Sequence, residues 1–269
     1  MIRDEISAFF KEEKIEYYTV LSYSDCIESA PRIMERECFK PRSVILFLMP
    51  YYTGEVENLS RYAASLDYHI ALRGVAERLS ELLSSRFPGM NAKGYGDHSP
   101  INERHAALIG GLGIAGKNGL LINEKYGTYT FIGDLVTDIA PEALGATAPL
   151  PISSCEDCGA CRRACPTGIL AGTGDSCLSE ITQRKGVLAP EEIELMTKYN
   201  TVWGCDLCQS SCPYNKNPIK TPIDFFYRDR IDCLTPELLD KMTKEELKER
   251  AFGWRGRATV RRNLELLFK

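Results

Sequence analysis

Cysteine spacing is the strongest chemical signal in this 269-residue chain, because eight of its eleven cysteines fall between residues 155 and 212. The segment begins with the run C-x2-C-x2-C-x3-C-P, which contains Cys155, Cys158, Cys161 and Cys165. A second group, which also ends in Cys-Pro, contains Cys205, Cys208 and Cys212. The first run is typical of bacterial ferredoxins that carry two 4Fe-4S clusters. The spacing therefore predicts a pair of such clusters.

The same spacing predicts how the thiolates divide between the two clusters. Three cysteines of a run converge on one cube, while the fourth lies on the following helix and points at the other cube. The predicted ligands of the first cluster are Cys155, Cys158, Cys161 and Cys212. The predicted ligands of the second cluster are Cys165, Cys205 and Cys208, with Cys177 as the remaining cysteine of the segment.

Other interpretations of the cysteines lead to different proteins. Zinc ribbons also use paired C-x2-C units, but they need neither two Cys-Pro endings nor a third cysteine in the first group. Cys26, Cys38 and Cys233 stand alone in the sequence, and we expect each to be a buried free thiol. Two adjoining cubes form a relay for single electrons, so the function depends on what receives those electrons.

Composition indicates a folded protein of a reducing compartment. Hydrophobic residues make up 44% and charged residues 26% of the chain, which is ordinary for a globular protein. The first residues contain acids throughout and lack a signal-peptide core, so we expect a cytoplasmic protein. The longest apolar run, residues 44–50, is too short to cross a bilayer. A net charge of −4 means that a nucleic-acid partner would need a local basic patch.

The uneven distribution of cysteines divides the sequence. A boundary near residues 141–151, which are rich in Pro and Ala, predicts an N-terminal domain of residues 1–150. A two-cluster domain of residues 151–220 follows, and then a tail of residues 221–269. Thr235, followed by proline, has the pattern of a helix N-terminus, so the tail is predicted to be helical. Helix and strand patterns mix in the first domain, which predicts an α+β or α/β domain and an α+β fold for the chain.

Three elements of the N-terminal domain can be predicted from their patterns. Residues 43–49 form a continuous apolar run that ends at Pro50, which is typical of a buried strand. Residues 66–86 have apolar residues at helical spacing and stop before a Pro-Gly pair. Residues 120–123 and 128–132 flank a short turn, and this pattern predicts a hairpin.

The other candidate signals in this domain are weaker. Residues 111–116 match G-x-G-x-x-G, but residues 102–109 before them look helical, which argues against a dinucleotide site. Asp97 follows a glycine-rich loop and is either a loop cap or a proton donor. His69 lies inside a predicted helix, where a solvated or core histidine is expected.

Several short motifs occur in a fixed order along nearly the whole chain. The first are Arg61-Tyr62-Ala63, Asp67-Tyr68-His69, Asp97, Glu103-Arg104 and residues 111–118. Next come residues 127–133, Thr137-Asp138, residues 177–179, residues 204–209 and residues 253–256. In this order they resemble the cobalamin-dependent epoxyqueuosine reductase family. That family is related to reductive dehalogenases and removes the epoxide oxygen of epoxyqueuosine in the tRNA anticodon loop.

The resemblance implies a specific machinery. It implies an N-terminal α/β cobalamin-binding domain like that of reductive dehalogenases, with two 4Fe-4S clusters that reduce the cobalamin. It also implies tRNA as a partner, an external electron donor such as flavodoxin or ferredoxin, and a monomer. Asp97 matches the family's proton donor, a role that requires a pKa raised by burial. The implied cofactor contacts are Ser60, Asp97, Arg104, Lys117, Ser179 and Asp206.

The match is imperfect near the C-terminus. Longer family members continue into HEAT-type repeats, so the resemblance implies a short form. Residues 64–66 also depart from a glycine-containing family pattern. A basic tail, which suits phosphate contact or a solvated helix face, contains Arg250, Arg255, Arg257, Arg261 and Arg262. Two alternatives therefore stay open: a related reductase of a small molecule, and a two-cluster electron carrier without catalysis.

Overall fold

The computed structural model describes residues 2–268 and divides the chain into two compact units. Unit 1 contains Met1–Pro50 and His69–Glu156, and unit 2 contains Tyr51–Tyr68 and Asp157–Lys269. Helices and strands mix, which confirms the predicted α+β class. The division into three domains stays a prediction. Within the described residues, none of the helices has the length and apolarity needed to span a membrane.

Unit 1 is a four-stranded sheet with helices packed on it. Its elements are α1 Ile2–Glu12, β1 Tyr18–Ser22, α2 Arg32–Glu37, β2 Ser43–Pro50, α3 Tyr68–Arg86, β3 Ala92–Tyr95, α4 Glu103–Ile109, β4 Ile114–Ala115, β5 Leu121–Ile122, β6 Thr130–Thr137 and α5 Pro141–Leu144. The strand order is β1-β2-β6-β3, and every neighbouring pair is antiparallel. A small second sheet pairs β4 with β5.

The central strand β2 confirms the buried strand predicted from the apolar run. All eight of its residues are buried. Such a strand carries apolar side chains on both faces because helices cover both sides of the sheet. Val44, Leu46 and Leu48 pack in one core with Ala106 and Ala107 of α4.

Helix α3 confirms the predicted helix and begins two residues later than expected. It packs closely on the sheet because glycines face it. A Cβ at Gly133 of β6 would lie 2.9 Å from Leu72 Cδ2, and one at Gly94 of β3 would lie 2.3 Å from Ala76 Cβ. The small residues let the helix backbone approach the strands.

The predicted hairpin of residues 120–123 and 128–132 is wrong. β5 pairs with β4, whereas β6 pairs with β2 and β3. The turn between β5 and β6 is closed by a bridge between Asn123 and Gly127. The reason is that the long β6 satisfies its backbone groups inside the four-stranded sheet, where both of its edges are covered.

Unit 2 is helical and contains the cysteine segment apart from Cys155, which lies in unit 1. Its helices are α6 Ala160–Ala164, α7 Leu178–Gln183, α8 Pro190–Lys198, α9 Leu207–Ser210, α10 Pro236–Lys241, α11 Lys244–Lys248 and α12 Arg257–Leu267. Thr235 caps α10 by accepting from the Leu238 backbone N–H, with Pro236 at the first helical position. The predicted helical tail is therefore confirmed.

Residues 51–68 belong to unit 2 through backbone hydrogen bonds. The N–H of Ser60 donates to Trp203 O at 2.7 Å, and the N–H of Val202 donates to Asn58 O at 2.7 Å. Trp203 is fully buried, and its indole N–H donates to the Tyr62 hydroxyl at 3.0 Å. This segment therefore supports one side of the cysteine region.

The close contact at Gly94 yields a stability prediction. Gly94→Ala should lower the free energy of unfolding by about 1–3 kcal/mol, because the new methyl group overpacks against α3. Denaturation followed by circular dichroism measures the change. Lys93→Ala, at the exposed neighbouring position, is the control and should change stability by roughly 0.5 kcal/mol or less. Equal stability of the two variants would contradict the packing of α3.

Candidate functional site

The cysteines lie at the ends of short helices. Cys165 and Cys212 each precede a proline and have extended backbone conformations, with ψ of 114° and 128°. The residue before proline avoids the helical region. The Cys-Pro pairs therefore end α6 and α9 and turn each cysteine out of its helix. Cys177 lies immediately before α7, also in an extended conformation.

The structure brings together the four predicted ligands of the second cluster. Burial is the largest cause that raises the pKa of Cys205 and of Cys208, and nearby thiol charges raise both further. The charges that affect Cys205 include those of Cys177 and Cys165, and Cys208 also responds to Cys205, Cys177 and Cys161. Iron would supply the positive charge that such crowded thiols need to bind as thiolates.

Cys165 has a different environment from its neighbours. Burial alone would raise its pKa, but backbone N–H groups of Leu170, Thr167 and Gly168 point at the sulfur and bring the net pKa below its usual value. Hydrogen bonds to cysteine sulfur are one of the features that set the potential of an iron-sulfur cluster. The donor set therefore fits a cluster ligand.

All eleven cysteines are free thiols. Among residues 2–268, no three His, Cys, Asp or Glu side chains converge on a point where they would hold one metal ion. The thiolates of a cube bind four different irons and need no common point. The prediction of buried thiols is confirmed for Cys26 but wrong for Cys38, which is exposed, and Cys233 is half-buried. Cys38 ends α2 in a left-handed conformation, which turns its side chain to solvent.

The G-x-G-x-x-G motif follows helix α4, as expected, and positions a cysteine. Cβ atoms at Gly113 and Gly116 would lie 2.5 Å and 2.9 Å from carbonyl oxygens of Ile122 and Leu120, so the glycines permit close packing against β5. The Cys155 N–H donates to Ala115 O at 3.0 Å. Its sulfur lies 3.4 Å from the Lys117 backbone nitrogen. The motif thus holds the first cysteine of the run.

Asp97 lies in the loop after β3 with its side chain turned to solvent. The side chain is 63% exposed, and its Oδ2 lies 3.8 Å from His69 Nε2. The backbone φ of 65° is in the left-handed region, where aspartate is one of the tolerated residues. The protein alone does not provide the burial that the proton-donor role was expected to require. His69 is partly solvated, as predicted, and its proximity to Asp97 was not foreseen.

Two acids near Asp97 were missed from the sequence. Asp134 of β6 is completely buried, and Glu103 begins α4. Burial is the main cause that raises the pKa of both carboxyl groups. Asp134 and Asp97 are the charges that raise the pKa of Glu103 further. A charged residue inside an otherwise apolar strand pattern was the available signal.

Ser60 and Asp206 lie together in unit 2. The Ser60 hydroxyl donates to Asp206 Oδ1 at 2.5 Å. Asp206 also accepts from the Arg61 backbone N–H at 2.7 Å, from the Arg61 guanidinium at 3.1 Å and from Gln209 Nε2 at 2.9 Å. Asp206 is therefore a buried acceptor of four hydrogen bonds that joins residues 51–68 to α9.

The other predicted cofactor contacts are divided between the two units. Arg104 and Lys117 are exposed in unit 1, and Arg104 donates to Gly119 O at 2.5 Å. Ser179 lies on α7 in unit 2, where its hydroxyl accepts from Gln183 Nε2 at 3.2 Å. Asn118, next to Lys117, has a buried Nδ2 without a hydrogen-bond acceptor among the described residues.

Much of the basic tail is used inside the protein. Arg250 donates to Asp229 O, Arg257 to Leu239 O and Arg262 to Arg184 O. Arg261 forms an ion pair with Asp240. Four of the five arginines therefore have partners within the protein and do not form the solvated helix face that was one of the two interpretations. Arg255 stacks on the ring of Trp254 at 3.7 Å, and Trp254 is 59% exposed.

Comparisons with known proteins agree with this site. Residues 154–215 match the family described as "4Fe-4S double cluster binding domain". The epoxyqueuosine reductase of Listeria monocytogenes is 32% identical over 76% of this chain and 55% of that protein. The epoxyqueuosine reductase of Gloeobacter violaceus is 32% identical over 82% of this chain and 72% of that protein. The chain spans about half the length of most of the curated relatives it matches.

The fold is also similar to that of a solved protein. An epoxyqueuosine reductase crystallised with an epoxyqueuosine-modified tRNA-Tyr stem loop has a TM-score of 0.80 and 21% identity, over 100% of this chain and 82% of that chain. The fold and the cysteine segment define an α+β iron-sulfur protein with a double-cluster domain. The chain belongs to the epoxyqueuosine reductase family, which confirms the resemblance seen in the sequence.

The Asp206 contacts predict a large cost of removing this carboxylate. Asp206→Ala should lower the free energy of unfolding by about 3–5 kcal/mol, because Arg61 and Gln209 lose a buried acceptor. Asp232→Ala is the matched control, since Asp232 pairs with Arg230 but is 63% exposed. Its loss should cost about 0–1 kcal/mol. Thermal unfolding of iron-loaded protein measures both, and a small effect at Asp206 would show that its hydrogen bonds do not hold the segment.

Proposed function

We propose that the chain is a cobalamin- and iron-sulfur-dependent oxidoreductase that converts epoxyqueuosine to queuosine in tRNA. The single observation that carries the proposal is family membership combined with a double-cluster segment. The reaction turns an epoxide into an alkene and releases the oxygen as water, which consumes two electrons and two protons. Two clusters that pass single electrons suit this demand.

The proposed cluster ligands are those assigned from the spacing. The first cluster takes Cys155, Cys158, Cys161 and Cys212, and the second takes Cys165, Cys177, Cys205 and Cys208. The electrostatic proximity of the second set and the N–H groups around Cys165 support this assignment. The predicted domains of residues 1–150, 151–220 and 221–269 remain part of the proposal.

Several residues of unit 1 suit a cobalamin. When bound, this cofactor supplies a strongly reducing cobalt centre that receives electrons from the clusters. Lys117 and Arg104 offer exposed positive charge to its phosphate, and the unpaired Nδ2 of Asn118 offers a donor to an amide carbonyl. Ser60, Ser179 and Asp206 complete the proposed set of contacts, with Asp206 acting through Ser60.

Asp97 is the proposed acid that protonates the leaving oxygen. Its exposed side chain can reach a bound substrate. Cofactor and substrate would then bury the carboxyl group and raise its pKa, which favours the protonated form needed by a donor.

The proposed setting of the enzyme is the cytoplasm, where it acts as a monomer. The proposed partners are the tRNA anticodon loop and an external donor such as flavodoxin or ferredoxin. The similarity of fold to a reductase solved with a modified tRNA stem loop supports the first partner. Within the tail, Arg255 stacked on Trp254 offers both a charge and an exposed ring for RNA.

A second candidate function is reduction of a small-molecule substrate by the same cofactors. The internal hydrogen bonds of Arg250, Arg257 and Arg262 favour it, because these groups have fewer donors left for phosphate. A two-cluster electron carrier without catalysis is the third possibility, and it predicts no turnover of either substrate.

Nucleoside analysis of tRNA tests the proposal. A cell that lacks its own epoxyqueuosine reductase accumulates epoxyqueuosine, and expression of this chain should convert that pool to queuosine. Persistence of epoxyqueuosine despite soluble, iron-loaded protein would reject tRNA as the substrate. Addition of cob(II)alamin to the anaerobic protein then separates the two remaining candidates. A cobalamin-dependent reductase should change the electron paramagnetic resonance spectrum of cob(II)alamin, whereas an electron carrier should leave that spectrum unchanged.

The proposed role of Asp97 predicts a specific defect. Asp97→Asn should reduce turnover by about 10²–10⁴-fold while iron content and cobalamin binding stay unchanged, because the amide cannot donate the proton. Asp25→Asn, an exposed aspartate elsewhere in unit 1, is the control and should retain activity. Full activity of Asp97→Asn would remove this residue from the mechanism.

The assignment of Cys177 can be tested by metal analysis. Cys177→Ser should lose about four irons per chain under mild chelation, since one cube lacks its fourth thiolate. Cys233→Ser, which changes a free thiol outside the segment, is the control and should keep its full iron content. Unchanged iron in Cys177→Ser would mean that another group completes the second cluster.

A further inference from the structure

The most unusual polar feature of unit 1 is a pair of carboxyl groups, one fully buried on β6 and one half-buried at the start of α4. Asp134 has no exposed surface. Both of its side-chain oxygens, together with Glu103 Oε1, are buried without a hydrogen-bond donor among residues 2–268 when both groups are written as carboxylates. An unpaired buried carboxylate is costly, so such groups either find a donor or take up a proton.

A proton between the two groups would satisfy them. The Glu103 and Asp134 carboxyl groups lie within hydrogen-bonding range of each other, and each shifts the pKa of the other. Two carboxylates cannot accept from each other, but a carboxylic acid can donate to a carboxylate. The Ser99 hydroxyl also lies close to Asp134, although it does not meet ordinary hydrogen-bond geometry with either carboxylate oxygen. The arrangement therefore accommodates one proton and one negative charge.

The surroundings of the pair contain acids and neutral groups. The titratable groups that interact with it are Tyr23 and Cys26 near β1, Tyr95 on β3, and Asp97 in the loop after β3. Burial raises the pKa of Tyr23, Cys26 and Tyr95, so all three stay neutral near pH 7. Burial is the main cause that raises the pKa of both carboxyl groups, and the neighbouring acids Asp134 and Asp97 raise that of Glu103 further. The Asp97 N–H and the Ser99 hydroxyl favour ionisation, but burial is the largest cause for both carboxyl groups and favours one shared proton.

The pair is connected to Asp97 through the backbone. The Asp97 N–H donates to the Glu103 carboxyl group, and the two carboxyl groups interact electrostatically. Asp97 has a φ of 65°, a conformation that needs local support. Glu103 is itself held by the start of α4, where Asn102 caps the helix by accepting from the His105 N–H at 2.9 Å. A rigid helix end thus holds the loop that carries Asp97.

We propose that Glu103 and Asp134 share one buried proton and act as positioning residues that hold Asp97 for proton donation. The second half of this statement rests on the proposed function, whereas the shared proton does not.

Infrared spectroscopy tests the shared proton without any turnover. Anaerobic full-length protein at pH 7 should show the C=O stretching band of a protonated carboxylic acid, and Glu103→Gln combined with Asp134→Asn should lose it. Glu142→Gln, which changes an exposed glutamate of α5, should keep it. Absence of the band from the unaltered protein at pH 7 would overturn the proposal, whatever the enzyme reduces.

Stability against pH is the second measurement. Folding raises the pKa of both carboxyl groups, so their stabilising effect is full below the usual carboxyl range and is lost as pH rises toward and above neutrality. The unfolding midpoint of the unaltered protein should therefore fall between pH 5 and 9. Glu103→Gln should flatten this dependence. An equal slope in both proteins would contradict a shared proton.

The positioning role has its own readout. Glu103→Gln should lower kcat by more than it changes KM, because the loop that carries Asp97 loses its support, and Glu103→Asp should restore part of the loss. A kcat that stays unchanged in Glu103→Gln would reject the positioning of Asp97 but leave the infrared result intact. If the chain does not reduce epoxyqueuosine at all, the infrared and stability measurements still decide the shared proton.

Discussion

The buried carboxylate of Asp206 is the contact on which the cysteine region depends. It lies between Cys205 and Cys208 in sequence and receives hydrogen bonds from Ser60 and Arg61, which are about 146 residues away. Four hydrogen bonds satisfy its oxygens, and one of them comes from the positively charged Arg61 guanidinium. The same contacts bring residues 51–68 into unit 2, where Leu59 and Trp203 form a backbone bridge and their side chains lie in one apolar core. Asp206 therefore connects residues 51–68 to the loop that carries Cys205 and Cys208.

Unit 1 uses buried acid in another way. Strand β2 is buried along its whole length, yet the adjoining strand β6 carries Asp134. Asp134 interacts with Glu103 at the start of α4. The groups that interact most with the pair are acids, hydroxyls and a thiol, whereas Asp206 accepts from the Arg61 guanidinium. This difference explains why one acid serves as an anchor and the other two are suited to hold a proton. Neither the Asp206 contacts nor the Glu103–Asp134 pair belongs to the exposed loop that carries Asp97. Asp97 is the acid that a substrate can reach.

Local signals in the sequence were enough to predict the cysteine region, strand β2, helix α3 and the capped tail. Cys-Pro endings, a continuous apolar run and helix caps act within a few residues, so their consequences are readable from short segments. The failed hairpin, the exposed Cys38 and the Ser60–Asp206 contact depend on which distant segments pair. The Glu103–Asp134 pair was missed for the same reason, because a buried acid is recognisable only when its unpaired surroundings are known.

The claim that this segment carries two 4Fe-4S clusters has a direct test. Full-length protein reconstituted anaerobically, then freed of loosely bound metal, can be analysed for iron, zinc and acid-labile sulfide, with Mössbauer spectroscopy of the iron. The account predicts about eight irons and about eight sulfides per chain, all in cubane clusters. Tightly bound zinc without sulfide, or iron that never exceeds about half that amount, would contradict it.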